Sequence, residues 1–181
     1  GKEFENFPHI AKDLSKIADT FRSHDTDALV IDGEITGKSF QELMRGATKK
    51  DHTATDSVFN VFDFMILDDF KRGFSNTSQI DRLLALESVV NRVQMESVVM
   101  VKGKQINLDT EEAHKVMAQY ANDCVAEGYE GIMIKKLDAP YECRRSTFWM
   151  KWKPVITVDL EVIDIEEGTG RNAGRLGALV C

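Results

Sequence analysis

The order of helical and extended patterns constrains this chain's fold more than any single motif does. Segments of helix period and strand period interleave, but without the regular strand–helix–strand rhythm that a doubly wound parallel sheet requires. The clearest helix starts at Asp109, which forms a capping-box-like pair with Glu112. Its apolar stripe, Ala113, Val116, Met117, Tyr120, Ala121, Cys124 and Val125, runs to Gly128, a natural stop. Pro8 precedes a second helical face made of Ile10, Leu14, Ile17, Ala18 and Phe21. Ser78 starts a third, with Ile80, Leu83, Leu84 and Val90 along one side, and Ser39 caps a short one through Phe40, Leu43 and Met44. The polar residues 48–57 read as a loop. Extended patterns occupy residues 28–36 (continuous, or turned at Asp32-Gly33), 58–67, 96–101, 131–136, 148–153 and 158–165. The expectation is an α+β protein with antiparallel sheets flanked by helices.

Pro154 marks a boundary in this reading, with one domain over residues 1–154 and the start of a second over 155–181, too short for its own core. Both ends look cut: residues 175–181 form an apolar, strand-like run with nothing after it to pair against. Hydrophobic residues make up 43% of the 181 and charged ones 29%, as in a soluble globular protein. No apolar run approaches the roughly 20 residues of a membrane span, and the opening residues lack the apolar core of a signal peptide. Cys124, Cys143 and Cys181 are odd in number and far apart, which argues against a disulfide framework or a zinc site and suits an intracellular setting. The net charge of -7 speaks weakly against nucleic acid. Lys135, Lys136, Arg144, Arg145, Lys151 and Lys153 nevertheless crowd one stretch and allow a local basic surface.

Four clusters could carry chemistry, and each has a plainer reading. Asp32-Gly33-Glu34 between apolar neighbours is either a hairpin turn or a strand that places Glu34 in a cleft, accepting from sugar hydroxyls or a metal-bound water. Phe62, inside an apolar run, is either a core residue or a ring on which a base stacks. Glu130, just before 131–136, is a solvated turn residue or a magnesium ligand, since Mg²⁺ takes few carboxylates plus phosphate oxygens and waters. Lys151 and Lys153 alternate onto one strand face about 6–7 Å apart, with Phe148, Met150 and Trp152 expected to point the other way into a core. They line a solvated edge or clamp a phosphate between them.

Taken in order, Asp32-Gly33-Glu34, Val61-Phe62-Asp63, Glu130-Gly131-Ile132-Met133-Ile134-Lys135 and Trp149-Met150-Lys151-Trp152-Lys153-Pro154 resemble the covalent nucleotidyltransferases, the ligases and mRNA capping enzymes. Residues 166–171 with 174–179 look like the opening of the OB-fold domain of ATP-dependent DNA ligases, and Gly1-Lys2-Glu3-Phe4 looks like the tail of a further ligase motif. The resemblance implies that Glu34 contacts the ribose or metal region, Phe62 stacks on adenine and Glu130 helps hold the metal. It gives Lys151 and Lys153 the α-phosphate, and it places Arg145, with Lys135, near DNA or phosphate. ATP and Mg²⁺ are the implied cofactors, nicked double-stranded DNA the partner, and the intact protein a monomer. Two alternatives stay open, an mRNA capping guanylyltransferase and a noncatalytic nucleotide- or DNA-binding module; Glu130-Gly131, where the capping enzymes would have Asp-Gly, favours the ligase. No lysine here is followed by x-Asp-Gly, the family's nucleophile motif. That motif is therefore expected upstream, and the chain by itself is not expected to adenylylate itself.

Overall fold

The computed structural model describes residues 5–22, 28–37, 55–155 and 157–181. Helix α1 (Pro8–Arg22) turns Ile10 and Ile17 inward. Strand β1 (Leu29–Thr36) pairs antiparallel with β2 (Val58–Ile66), which runs into a short helix, α2 (Leu67–Arg72). After β3 (Phe74–Ser75), helix α3 (Gln79–Arg92) starts on Ser78, whose hydroxyl accepts from the Asp81 amide at 3.2 Å. Strand β4 (Val98–Met100) lies parallel to β2, because the chain between them returns through α3 as a crossover. Helix α4 (Glu111–Ala126) follows, then β5 (Ile132–Lys135), β6 (Tyr141–Glu142), β7 (Trp149–Trp152), β8 (Asp164–Glu167) and β9 (Leu176–Val180).

The α+β architecture stands, with differences in detail. The largest sheet is mixed, β1-β2-β4, and the other three are two-stranded antiparallel ladders, β3/β6, β5/β7 and β8/β9. The α4 cap is Thr110 rather than Asp109; its side chain accepts from the Ala113 amide. The apolar run 158–165 becomes strand only from Asp164, and residues 176–180 do have a partner in β8. Val158, Leu160, Val162 and Ile163 are exposed. The helix expected after Ser39 lies outside the described residues.

Val61 and Phe64 of β2 pack against Phe7, Ile10, Ile17, Leu86, Val89 and Val98, so α1 and α3 close over the mixed sheet. Asp13 ties α1 to the chain entering β4. Its carboxylate accepts from the amides of Glu96 and Ser97 at 3.0 and 2.9 Å, from the Ser97 hydroxyl at 2.8 Å and from Lys16 at 2.7 Å. Burial alone would raise its pKa, but these donors together outweigh burial and hold the carboxyl well below the usual range.

Candidate functional site

The site begins with a backbone irregularity. Across β1 and β2, Asp32 pairs with Asp63 and Gly33 with Val61, so the register skips Phe62. An extra residue of this kind bends a strand and re-aims a side chain. It lets Val61 and Phe64, three apart, both enter the core and leaves Phe62 half-buried beside β5 and β7. Gly33 makes the bulge possible: a Cβ there would come within 2.6 Å of both the Asn60 carbonyl oxygen and the Phe59 ring. The chain therefore passes straight through Asp32-Gly33 as strand, and the hairpin reading is excluded. Close approach, not a turn, explains this glycine.

A second glycine brings the acidic and basic residues together. Gly131 has φ +151°, and a Cβ on it would meet the Trp152 carbonyl oxygen at 2.1 Å. Only glycine permits β5 and β7 to approach so closely just after Glu130. Met133 then stands opposite Lys151, and Lys135 opposite Trp149. By strand alternation Met133, Lys135, Trp149, Lys151 and Lys153 share one face. This corrects the expected packing in part: Phe148 and Trp152 are half-buried but Met150 is 52% exposed, and Trp149, on the lysine face, packs against Phe62 and Tyr141 with ring centroids 6.4 and 5.1 Å away.

Lys153 forms an ion pair with Glu130. The lysine's hydrogen bond holds the Glu130 carboxyl below its ordinary range, with the charges of Lys153 and Lys151 adding to the effect. Reciprocally, Glu130 raises the Lys153 pKa, and Glu34 contributes at longer range. Glu34, Glu130, Lys151 and Lys153 thus sense one another although more than a hundred residues of chain separate the first from the last.

Beneath this surface lies a charged layer that motif reading passed over. Arg82 of α3, 1% exposed on its side chain, bonds both oxygens of fully buried Asp63 at 2.8 and 3.1 Å. It also donates to Gln79 at 3.1 Å and to the Thr77 carbonyl. Tyr141 donates to Asp32, and burial together with that bond raises the tyrosine's pKa. The available signal was an aspartate inside an otherwise apolar strand, since a buried charge needs a partner. Of the crowded cations, Lys136, Arg144 and Lys153 are ion-paired with Asp138, Glu142 and Glu130. Arg145 lines a cavity of about 570 Å³ with Tyr141, Cys143 and Trp149. Lys135 is turned inward, its ammonium 3.2 Å from the Phe62 carbonyl oxygen.

Comparison with known proteins identifies the family. The Probable DNA ligase of Kineococcus radiotolerans is 33% identical over 153 residues, covering 84% of this chain and 28% of that protein. DNA ligase 2 of Methanosarcina acetivorans is 28% identical over 193 residues, covering 98% and 32%. The solved structure of Pmar-Lig_PreS3 superposes with a TM-score of 0.84 at 37% identity, covering 99% of this chain and 42% of that one. The chain spans about a third of the length of these two curated relatives. Over residues 3–153 it matches the ATP dependent DNA ligase domain, and it belongs to that family.

Proposed function

We propose that this chain is the nucleotide-gripping part of a DNA ligase's adenylation domain, followed from residue 155 by the start of an OB-fold, within a longer protein that seals nicked double-stranded DNA. The observation that carries the reading is the Glu130–Lys153 ion pair at one end of a strand face whose other end, Trp149, packs against the Phe62 ring. The proposed sequence of steps has a lysine outside these residues attack the α-phosphate of ATP, forming a P–N bond and releasing pyrophosphate. AMP then passes to a DNA 5′-phosphate, and the 3′-hydroxyl displaces it to close the strand.

In this reading Phe62 stacks on adenine, and Lys151 and Lys153 neutralise charge at the α-phosphate. Among the described residues no group of three or more metal-ligating side chains converges. Glu130 and Glu34 still fit magnesium, which takes one or two carboxylates and fills its shell with phosphate oxygens and water. The ion would supply charge neutralisation on the phosphates. Arg145, on an open cavity, is placed to meet DNA phosphate. The matched family gives no support to the capping-enzyme alternative.

Replacing Phe62 with alanine in the full-length protein should raise the KM for ATP in adenylate formation roughly tenfold, the order expected for losing one base–aromatic stack. An unchanged KM would remove Phe62 from the nucleotide site.

A further inference from the structure

Lys135 is drawn inward, where it touches both rings of the aromatic wall and the buried acid beneath them. Its side chain is 15% exposed and its ammonium lies 3.9 Å from Asp63 Oδ2. It stands 3.6 Å from the centroid of the Trp149 ring and 4.9 Å from that of Phe62. Its 3.2 Å bond falls on the carbonyl of Phe62, the residue that the β1–β2 register skips. One cation therefore holds the bulge, both rings and the buried acid. Cations over aromatic faces are attracted most strongly where water is excluded.

Arg82 already engages both oxygens of Asp63, so Lys135 is the second cation facing the two acids Asp63 and Asp32. Three charged groups act on Lys135: Asp63 on β2, Asp32 on β1, which accepts from the Tyr141 hydroxyl on β6, and Arg82 on α3. Burial pushes the lysine down to about 8; Asp63 and Asp32 oppose the fall and Arg82 adds to it. Its folded value lies below its unfolded value of 10.5, so the folded state sheds the proton more readily. The charged lysine subtracts from stability below about pH 8, and that cost fades as pH rises from about 8 to 10.5. Its place over both rings of one wall, and on the carbonyl of the skipped residue, points to a role in positioning that wall.

We propose that Lys135 is a positioning residue whose protonated ammonium clamps the Phe62 bulge to Trp149 and so holds the aromatic wall in its nucleotide-binding posture. The nucleotide part rests on the function proposed above; the clamp does not. Deprotonation leaves an amine that can still donate to the Phe62 carbonyl but no longer attracts the Trp149 ring or Asp63.

The test uses Trp149, one of two tryptophans. In the 181-residue chain carrying Trp152→Phe, Trp149 emission should titrate with a midpoint near pH 8. The titration should vanish in Lys135→Met. In Lys135→Arg, which keeps its charge, the low-pH emission should persist to pH 10. If Trp152→Phe unfolds the chain by circular dichroism, the difference between wild type and Lys135→Met reads the same transition. A titration that survives in Lys135→Met, or none in wild type, overturns the clamp. In the full-length protein the KM for ATP should rise severalfold above pH 8, and Lys135→Met should show that raised KM at every pH with kcat little changed. A Trp149 titration beside a pH-independent KM would keep the clamp and overturn the nucleotide role of the wall.

Discussion

Alanine at Lys153 in the full-length protein should slow adenylate formation and AMP transfer about 100- to 1000-fold, the scale seen when one donor to developing charge is removed. Affinity for nicked DNA should barely change. Lys153 directly follows β7, paired with Glu130 and within electrostatic reach of Glu34, and Lys151 lies two residues before it. The ion pair adds little to folding, because Glu130 is 77% and Lys153 40% exposed. What it supplies is a fixed direction for the ammonium. Lys151→Ala should behave in the same way. Transfer rates from single-turnover assays, set beside binding measured by fluorescence anisotropy, separate the effects. Equal loss of transfer and binding would make these lysines simple DNA contacts.

The largest effect on stability should come from the buried pair beneath the site. Arg82→Met leaves the Asp63 carboxylate with the Phe64 amide at 2.8 Å and Lys135 at 3.9 Å, no cation in hydrogen-bond contact, and should cost about 3–5 kcal/mol. That is a large share of the roughly 5–15 kcal/mol that holds a typical domain folded. Adding Asp63→Leu should recover much of the loss, because an apolar pair of similar volume leaves no uncompensated charge. Urea denaturation of the two variants measures both. A cost below about 1 kcal/mol for Arg82→Met would show that Asp63 is satisfied without the guanidinium.

The parts of this structure legible from sequence were those fixed by local periodicity. Helices α1, α3 and α4 follow from their apolar stripes, and the β5/β7 ladder from two short runs that stop at Gly131 and Pro154. Pairing decided the rest. Residues 158–163 alternate apolar and acidic side chains as a strand would, yet the strand that forms is Asp164–Glu167, because β9 lies against it. Asp32-Gly33 carries strong turn chemistry, but its role is set by Phe59 and Asn60, which pack onto Gly33 from across the sheet.

The candidate site divides along the same line. Glu34, Phe62, Glu130, Lys151 and Lys153 were named from motif order, and the structure brings them to one region. The bulge that aims Phe62 has no local signature. Lys135 was expected near DNA or phosphate, and its inward contacts could not be read from a basic stretch, since its partners Asp63 and Trp149 come from other strands. Arg82 was hidden for the opposite reason: an arginine on an amphipathic helix reads as solvated until a buried acid is found facing it.

The most direct measurement of the central claim is covalent labelling with α-labelled ATP and magnesium. The 181-residue chain should form no stable adduct, since none of its lysines precedes x-Asp-Gly. The protein extended upstream through such a motif, and downstream through a full OB-fold, should form a lysine-linked AMP from ATP in preference to GTP and then seal nicked DNA. A covalent adduct on the chain by itself would contradict the placement of the nucleophile. An extended protein that took GTP would contradict the ligase assignment.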